Sequence, residues 1–363
     1  ALRLFDGVPQ GSPLRDGSRN ATFTDMGIVG RVEVINGPSA SEGIGAAGGI
    51  INYISKVPTV EGHETEVVSR YSTQFGDDSA IRAHYPAMKR WMAHMEEATM
   101  KDYIMTKDQY GDWCMPPESQ ELIHSKDPAR KTDGAILSTT VYYDLLNKMI
   151  GFARICGQDA DISGYESLAA KIKAAYNAKF FNKETAEYGN NTVTANILSL
   201  RLGLVPEGYE GKVFSNIVKK TEEDFNGHVS TGVLGIQHLM RGLTEYGRVD
   251  MAYKILTNET YPSWGYMIKN GATTIWELWN GDTADPAMNS ANHVMLLGDL
   301  LIWYYEDLAG IKCAPDAVGF KKLVMEPVFP DGLDEVSASY GSVYGEIKSA
   351  WTKKGGDFSW DIT

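Results

Sequence analysis

Apolar spacing divides this chain into three zones. From Ala1 to about Gln74, short β-branched runs alternate with Gly- and Ser-rich stretches. Arg31-Val-Glu-Val-Ile35, Ile50-Ile-Asn-Tyr-Ile54 and Thr65-Glu-Val-Val-Ser-Arg-Tyr71 predict strands, with Asn36-Gly-Pro38 turning between the first two. After Asp77 the period lengthens. Ile81, Tyr85, Met88, Met92 and Met95 share one helical face behind a cap at Asp78 or Ser79. Leu137, Val141, Leu145, Met149 and Phe152 repeat that spacing up to Gly157, and Tyr165, Leu168, Ile172, Tyr176 and Phe180 repeat it again. Further helices are expected near 194–203, 211–223, 231–246 and 247–257, and 293–308 is apolar nearly all round, which predicts a central buried helix. Beyond Ala314 the alternation is β-like once more, in runs starting at Leu323, Glu335, Gly345 and Phe358.

This pattern predicts a mainly α protein built from helical hairpins. Its expected parts are a β-rich segment over 1–76, a helical domain over 77–312 and a C-terminal β-sandwich segment over 313–363. Long aromatic-rich loops at 105–130 and 259–290 interrupt the helices, and loops of that length in a compact helical domain usually carry function.

Composition narrows the classes. With 43% hydrophobic and 22% charged residues the chain is globular, and a formal charge of -13 argues against nucleic acid or an anionic membrane as partner. Cys114, Cys156 and Cys313 are odd in number and far apart, so they give neither a disulfide framework nor metal-ligand spacing, and no metal or cofactor is expected. No segment reaches the roughly 18 unbroken apolar residues of a membrane helix, and no leader is visible. The chain begins at Ala1 rather than Met, as a fragment or processed form would.

Gly43-Ile-Gly-Ala-Ala-Gly48 fits G-x-G-x-x-G, but the β-branched run that follows replaces the helix a dinucleotide site needs. The whole stretch from Val32 to Lys56, with Gly37-Pro-Ser-Ala40 and Gly48-Gly-Ile-Ile-Asn52 between strand-like runs, resembles the plug domain of TonB-dependent outer-membrane receptors. That resemblance covers about the first 75 residues. Such a receptor also needs many amphipathic barrel strands, and residues 80–310 supply helices instead.

One charged position stands out in Gly271-Ala-Thr-Thr-Ile-Trp-Glu-Leu-Trp-Asn-Gly-Asp282: Glu277 lies between Trp276 and Trp279. A carboxylate among indoles must be paired, hydrogen-bonded or protonated, because its desolvation is costly. Spacing alone leaves a catalytic carboxylate and a buried ion pair equally open. Further pieces are Asp77-Asp-Ser-Ala-Ile-Arg-Ala-His-Tyr-Pro-Ala-Met-Lys-Arg-Trp91, Gly111-Asp-Trp113, Tyr261-Pro-Ser-Trp-Gly-Tyr-Met267 and Ser290-Ala-Asn-His293. Together and in this order they resemble the inverting α-L-rhamnosidase family of glycoside hydrolases, over about residues 76–363.

The resemblance implies an (α/α)6 toroid followed by a β-sandwich, a rhamnose-containing oligosaccharide or glycoside as partner, and hydrolysis of terminal α-L-rhamnosides with inversion. Inversion needs one carboxyl to protonate the leaving oxygen and another to draw a proton from the attacking water. The family match puts the base on Glu277, which Thr273 and Thr274 could orient. It assigns sugar contact to Asp112, Trp113 and His293, an aromatic wall to Trp264 and Tyr266, and indole faces for the deoxysugar methyl to Trp276 and Trp279. Taken without the family, Asp112 reads equally as a helix-capping turn aspartate, His293 as a packed histidine and the aromatic wall as loop packing. The family's acidic, Arg-containing general-acid motif is absent before Ser79, and about eight helices can be read, so the toroid is expected to be incomplete and weakly active or inactive. The alternative readings are a receptor plug or transport module and a non-catalytic carbohydrate-binding remnant. Both resemblances imply the periplasm or envelope of a two-membrane bacterium, with no membrane association for the hydrolase part.

Overall fold

The computed structural model describes residues 75–363 apart from 109 and 285–289, together with the backbone of four strands in the first 55 residues. The chain divides into two compact units, Ala1–Val68 and Ser69–Thr363. The division falls before the expected boundary at 76, and the C-terminal strands belong to the same unit as the helices.

In the first unit, β1 (Leu2–Phe5), β2 (Val8–Pro9), β3 (Val29–Ile35) and β4 (Ile50–Ser55) form one sheet in the order β2-β1-β4-β3. β3 and β4 pair antiparallel with Val32 opposite Tyr53, and β1 joins β4 in parallel with Leu2 opposite Ile50. The two expected strands at 31–35 and 50–54 are therefore present. The Asn36 turn, the glycine run 43–48 and the run 65–71 lie outside the described residues.

The second unit begins with α1 (Ser79–Thr99), which buries Ile81, Tyr85, Met88 and Met92. Asp78 occupies the cap position, as expected, but makes no side-chain cap bond; the Ser79 amide donates to Asp77 instead, at 2.9 Å. A tight hairpin of β5 (Met100–Lys101) and β6 (Ile104–Met105) follows. Next comes α2 (Gly134–Cys156), capped by the Asp133 carboxylate and ended by Gly157 at φ 67°, a left-handed conformation that glycine adopts without strain. α2 buries a wider arc than the spacing implied: Tyr142 and Leu146 are buried, whereas Val141 is exposed and Leu145 half-buried. The helix is covered from both sides, by α1 and by α3 (Asp159–Phe180).

After the short pair β7 (Phe181–Asn182) and β8 (Glu187–Tyr188), the hairpins continue as α4 (Val193–Arg201) with α5 (Glu210–Lys219) and α6 (Val233–Glu245) with α7 (Val249–Thr257). Every residue of α4 from Val193 to Leu200 is buried, whereas α3 buries only one face. Thus α2, α4 and α6, which touch in succession, form the inner layer, and α1, α3, α5 and α7 the outer one. A short helix inside the predicted 259–290 loop, α8 (Trp264–Lys269), had no periodic signal, since six residues are too few to show one.

The expected buried helix over 293–308 is broken. Val294–Leu297 is a 3-10 turn, and only after Gly298 does a helical run begin with α9 (Leu300–Ile302) and continue to Leu308. Gly298 has φ 56°, and a Cβ there would stand 2.9 Å from the Ile236 carbonyl oxygen, so the break lets this segment seat against α6. Val294 and Leu301 are consequently exposed, while Leu296, Leu300 and Trp303 are buried.

The chain closes with β9 (Ile311–Cys313) paired to β10 (Leu323–Met325), and a three-stranded antiparallel sheet of β11 (Glu335–Ser342), β12 (Gly345–Lys354) and β13 (Asp357–Ile362). That sheet is fixed to the last helical run by β12: Trp351 Nε1 donates to the Leu308 carbonyl at 2.8 Å and Ser349 Oγ to the Ala309 carbonyl at 2.6 Å. Among the described residues no helix is long and apolar enough to cross a membrane.

Candidate active site

The two long aromatic loops meet. Asn280, fully buried, donates its side-chain amide to the Gln120 and Leu122 carbonyls at 2.5 and 2.8 Å, and the Thr283 hydroxyl donates to Gln120 at 2.7 Å. A third contact comes from Tyr261, whose hydroxyl donates to the Pro117 carbonyl at 3.1 Å. Loops without regular structure hold position only through such bonds and through packing.

Glu277 is held by strand-like pairing between the residues around it and those around Ser290. Its amide donates to the Ser290 carbonyl at 2.9 Å, the Ser290 amide returns a bond to Glu277 Oε2 at 3.0 Å, and the His293 amide donates to the Ile275 carbonyl at 2.7 Å. The carboxylate is buried, with 8% of the residue's surface accessible. Thr274, expected to orient it, instead donates its hydroxyl to the Ala291 carbonyl at 2.5 Å, and so secures the pairing rather than the carboxylate directly. Thr273 is exposed.

The Gly111-Asp-Trp113 loop docks onto the start of α6. Asp112 Oδ2 accepts from Thr194 Oγ1 at 2.5 Å and the Gly232 amide at 2.7 Å, while Oδ1 accepts from the Leu234 amide at 2.9 Å and the Gly235 amide at 3.3 Å. The Val233 amide donates to the Trp113 carbonyl at 2.8 Å. The first four amides of a helix have no partner within it, and here one loop takes all of them. Four donors on two oxygens also fill the acceptor capacity of a carboxylate. This geometry is helix capping, and the approach is so close that a Cβ on Gly232 would fall 2.3 Å from the Trp113 carbonyl oxygen. Burial pushes the Asp112 carboxyl above its ordinary range, with the four donors acting in the opposite sense.

Cys114, buried just beyond, reports on the neighbourhood. Burial, reinforced by the negative charges of Glu277 and Asp112, pushes its thiol up to about 12. The Glu277 carboxylate of one loop thus lies near Cys114 of the other.

The aromatic residues separate into two groups. Trp264 and Trp279 are core: their rings meet edge-to-face at 5.5 Å, 4% and 1% of their surfaces are accessible, and Trp264 Nε1 donates to the Leu296 carbonyl at 3.0 Å. Trp276 is buried as well. Tyr266 is half-buried and packs on Tyr261 at 5.6 Å, and its hydroxyl donates to the Asp282 carboxylate at 2.9 and 2.8 Å. Burial, then that carboxylate, pushes the Tyr266 hydroxyl up to about 12. Trp113 is half-buried between Tyr110, 5.8 Å away and perpendicular, and His124 at 4.9 Å. Tyr110 and His124 escaped the sequence reading, though both stand in the same loop as Trp113. His293 precedes the 3-10 turn, and its Nδ1 is buried without a hydrogen-bond partner. Among the described residues no group of three or more His, Cys, Asp or Glu is placed to hold a metal ion.

Comparison with known proteins finds likenesses to the helical domain and to the C-terminal strands. Residues 50–308 match the bacterial alpha-L-rhamnosidase 6 hairpin glycosidase domain, and residues 310–363 match the bacterial alpha-L-rhamnosidase C-terminal domain. An alpha-L-rhamnosidase of Formosa agariphila is 33% identical over 285 residues, covering 77% of this chain and 30% of that protein. The Streptomyces avermitilis alpha-L-rhamnosidase complexed with L-rhamnose superposes with a TM-score of 0.72 at 26% identity, over 80% of this chain and 27% of that one. The Dictyoglumus thermophilum alpha-L-rhamnosidase also gives 0.72, at 32% identity over 81% of this chain and 32% of its own. The chain thus spans about a third of the length of these relatives. A hemin receptor of Yersinia enterocolitica is 49% identical over 53 residues, 14% of this chain and 7% of that protein.

Proposed function

We propose that this chain, which belongs to the bacterial α-L-rhamnosidase six-hairpin glycosidase family, hydrolyses terminal α-L-rhamnosides with inversion, using Glu277 as general base. The observation that carries the reading is the placing of Glu277: a buried carboxylate fixed by backbone pairing, where the two long loops of the helical domain meet. In this mechanism Glu277 accepts a proton from a water molecule, which attacks the anomeric carbon from the face opposite the aglycone. The C–O bond to the leaving group breaks as the new one forms, and a carboxylic acid protonates the departing oxygen.

The rest of the site supports the base. Asp112 positions the loop that faces Glu277, because its carboxylate is filled by the start of α6. Trp113, with Tyr110 and His124 beside it, offers the half-exposed aromatic surface for the sugar. Trp264, Trp276 and Trp279 form the dry backing of the Glu277 loop, and His293 Nδ1, buried and unpartnered, is a candidate for a sugar hydroxyl. For the first unit we propose a plug-like segment, on the run of Gly37-Pro-Ser-Ala40 and Gly48-Gly-Ile-Ile-Asn52 between strands; a hemin receptor matches 53 residues of the chain.

The test is turnover of 2,4-dinitrophenyl α-L-rhamnoside, whose leaving group needs little protonation, followed by NMR of the first-formed sugar. Release of β-L-rhamnose is expected; α-L-rhamnose as first product, or no release above solvent hydrolysis, refutes the proposal.

A further inference from the structure

The outer layer carries a hollow that neither aromatic loop lines. Between α1 and α3 lies a groove of about 540 Å³, within the range of about 300–1,000 Å³ usual for small-molecule sites. Ala93, Ala160 and Gly164 are among its lining and project almost nothing into it. This explains why Tyr165 and Leu168, expected on the core face of α3, are only half-buried: they border the groove.

One end of the groove is an aromatic wall carried on a two-residue hairpin turn. The two residues joining β5 to β6, Asp102 and Tyr103, both adopt the left-handed region, at φ 51° and 62°. A two-residue hairpin loop of this kind requires positive φ at both positions, a conformation tyrosine seldom takes elsewhere. It delivers the Tyr103 ring, 41% exposed, to the groove, with the Lys171 ammonium 5.6 Å from the ring centre. The polar rim is balanced. Lys89 pairs with Asp161 at 2.5 Å, Asp161 also accepts from the Tyr85 hydroxyl at 2.9 Å, and Glu96 and Lys171 add one charge of each sign.

We infer that this groove is a second saccharide site, binding an uncharged sugar unit of a longer glycan away from the Glu277 loops. Two ammoniums against two carboxylates leave no net charge to select a phosphate, a sulfate or a uronate. Donors and acceptors side by side around an aromatic face suit a polyol, whose hydroxyls both give and take hydrogen bonds. The inference rests on the rhamnosidase reading for its glycan, but the site itself is separable from catalysis.

The experiment compares the full chain with Gly164→Leu and Tyr103→Gly. A Cβ at Gly164 meets nothing within 4 Å, so a side chain can start there without meeting backbone, and leucine, also the better helix former, adds bulk at the groove lining. Tyr103→Gly removes the ring while relieving its left-handed backbone. The probe is a neutral α-linked L-rhamnose trisaccharide, titrated by calorimetry in a Glu277→Gln background that does not turn it over, with KM for the trisaccharide and dinitrophenyl rhamnoside turnover read in the parent background. Each variant is expected to lose one binding site per chain, to raise KM for the trisaccharide about three- to tenfold, and to leave turnover of the small substrate unchanged. Unchanged stoichiometry and KM in both variants would overturn the inference, as would a preference of the groove for a uronate-containing trisaccharide. If no variant, nor the parent, hydrolyses the small substrate, the catalytic proposal fails; loss of the trisaccharide site in the variants would still support the groove.

Discussion

Replacing Asp112 separates its two readings, helix cap and sugar ligand. Asp112→Ala removes the acceptor for the Gly232, Leu234 and Gly235 amides and the Thr194 hydroxyl, all inside a region where Asp112 itself is only 9% exposed. A buried donor left without a partner costs about 1–3 kcal/mol, and losing a negative group at a helix start about 0.3–2 kcal/mol more. The Gly235 contact, at 3.3 Å, is the weakest, and the Thr194 hydroxyl can rotate to another acceptor. Removing a buried charge also returns part of its desolvation cost. The net loss is therefore about 3–5 kcal/mol, against a total stability of about 5–15 kcal/mol for an ordinary domain. Asp112→Asn keeps one accepting oxygen but turns an amide donor on two others, for about 1–3 kcal/mol. Equilibrium denaturation in urea reads both values. A sugar-ligand role would raise KM and leave the midpoint alone; a loss under about 1 kcal/mol in Asp112→Ala would refute the capping argument.

The same contact makes Gly232→Ala destabilising, since its methyl would lie 2.3 Å from the Trp113 carbonyl oxygen; the double variant with Asp112→Asn should be less than additive, and full additivity in denaturation would show the two residues act independently. His238 is held neutral by burial and by Arg201 and Arg241, against the opposite pull of Asp299 and Asp144, and titrates down to about 4. Its folded value lies below the unfolded one near 6.5, so its contribution is intact above about pH 6.5 and is lost as pH falls toward 4, on the order of 3 kcal/mol in all; His238→Gln should flatten the stability curve in that window. Cys114, buried with its thiol pushed up to about 12, should resist a thiol reagent at pH 8 in the native chain while half-buried Cys156 and Cys313 react, as peptide mapping would show; early labelling of Cys114 would contradict its placing.

Much of this arrangement was legible in the residues, and the failures have physical causes. Long amphipathic runs reported their helices because a one-sided core imposes the helical period, as with Ile81 to Met92. Inner helices blurred that signal: α4 is buried at every position from Val193 to Leu200, so no face stands out. The break at Gly298 was hidden because apolar composition does not record backbone handedness. At the site, the Trp-Glu-Leu-Trp pattern pointed to Glu277, yet it gave no sign that the Ser290 amide rather than a threonine hydroxyl holds the carboxylate. Asp112 reads the same from sequence whether it faces a sugar or a helix end; only the positions of the 232–235 amides distinguish them.

The role of Glu277 can be isolated by comparing Glu277→Gln with the parent chain on two rhamnosides, one with a dinitrophenyl and one with a methyl leaving group. A general base acts on water, so its loss should slow hydrolysis about a hundredfold to ten-thousandfold when the aglycone leaves unaided. The slowing should be of similar size for the methyl rhamnoside wherever the parent cleaves it, with the folded midpoint little changed. Retained turnover of the dinitrophenyl substrate, or a loss confined to the methyl rhamnoside, would contradict the assignment and move Glu277 to another role.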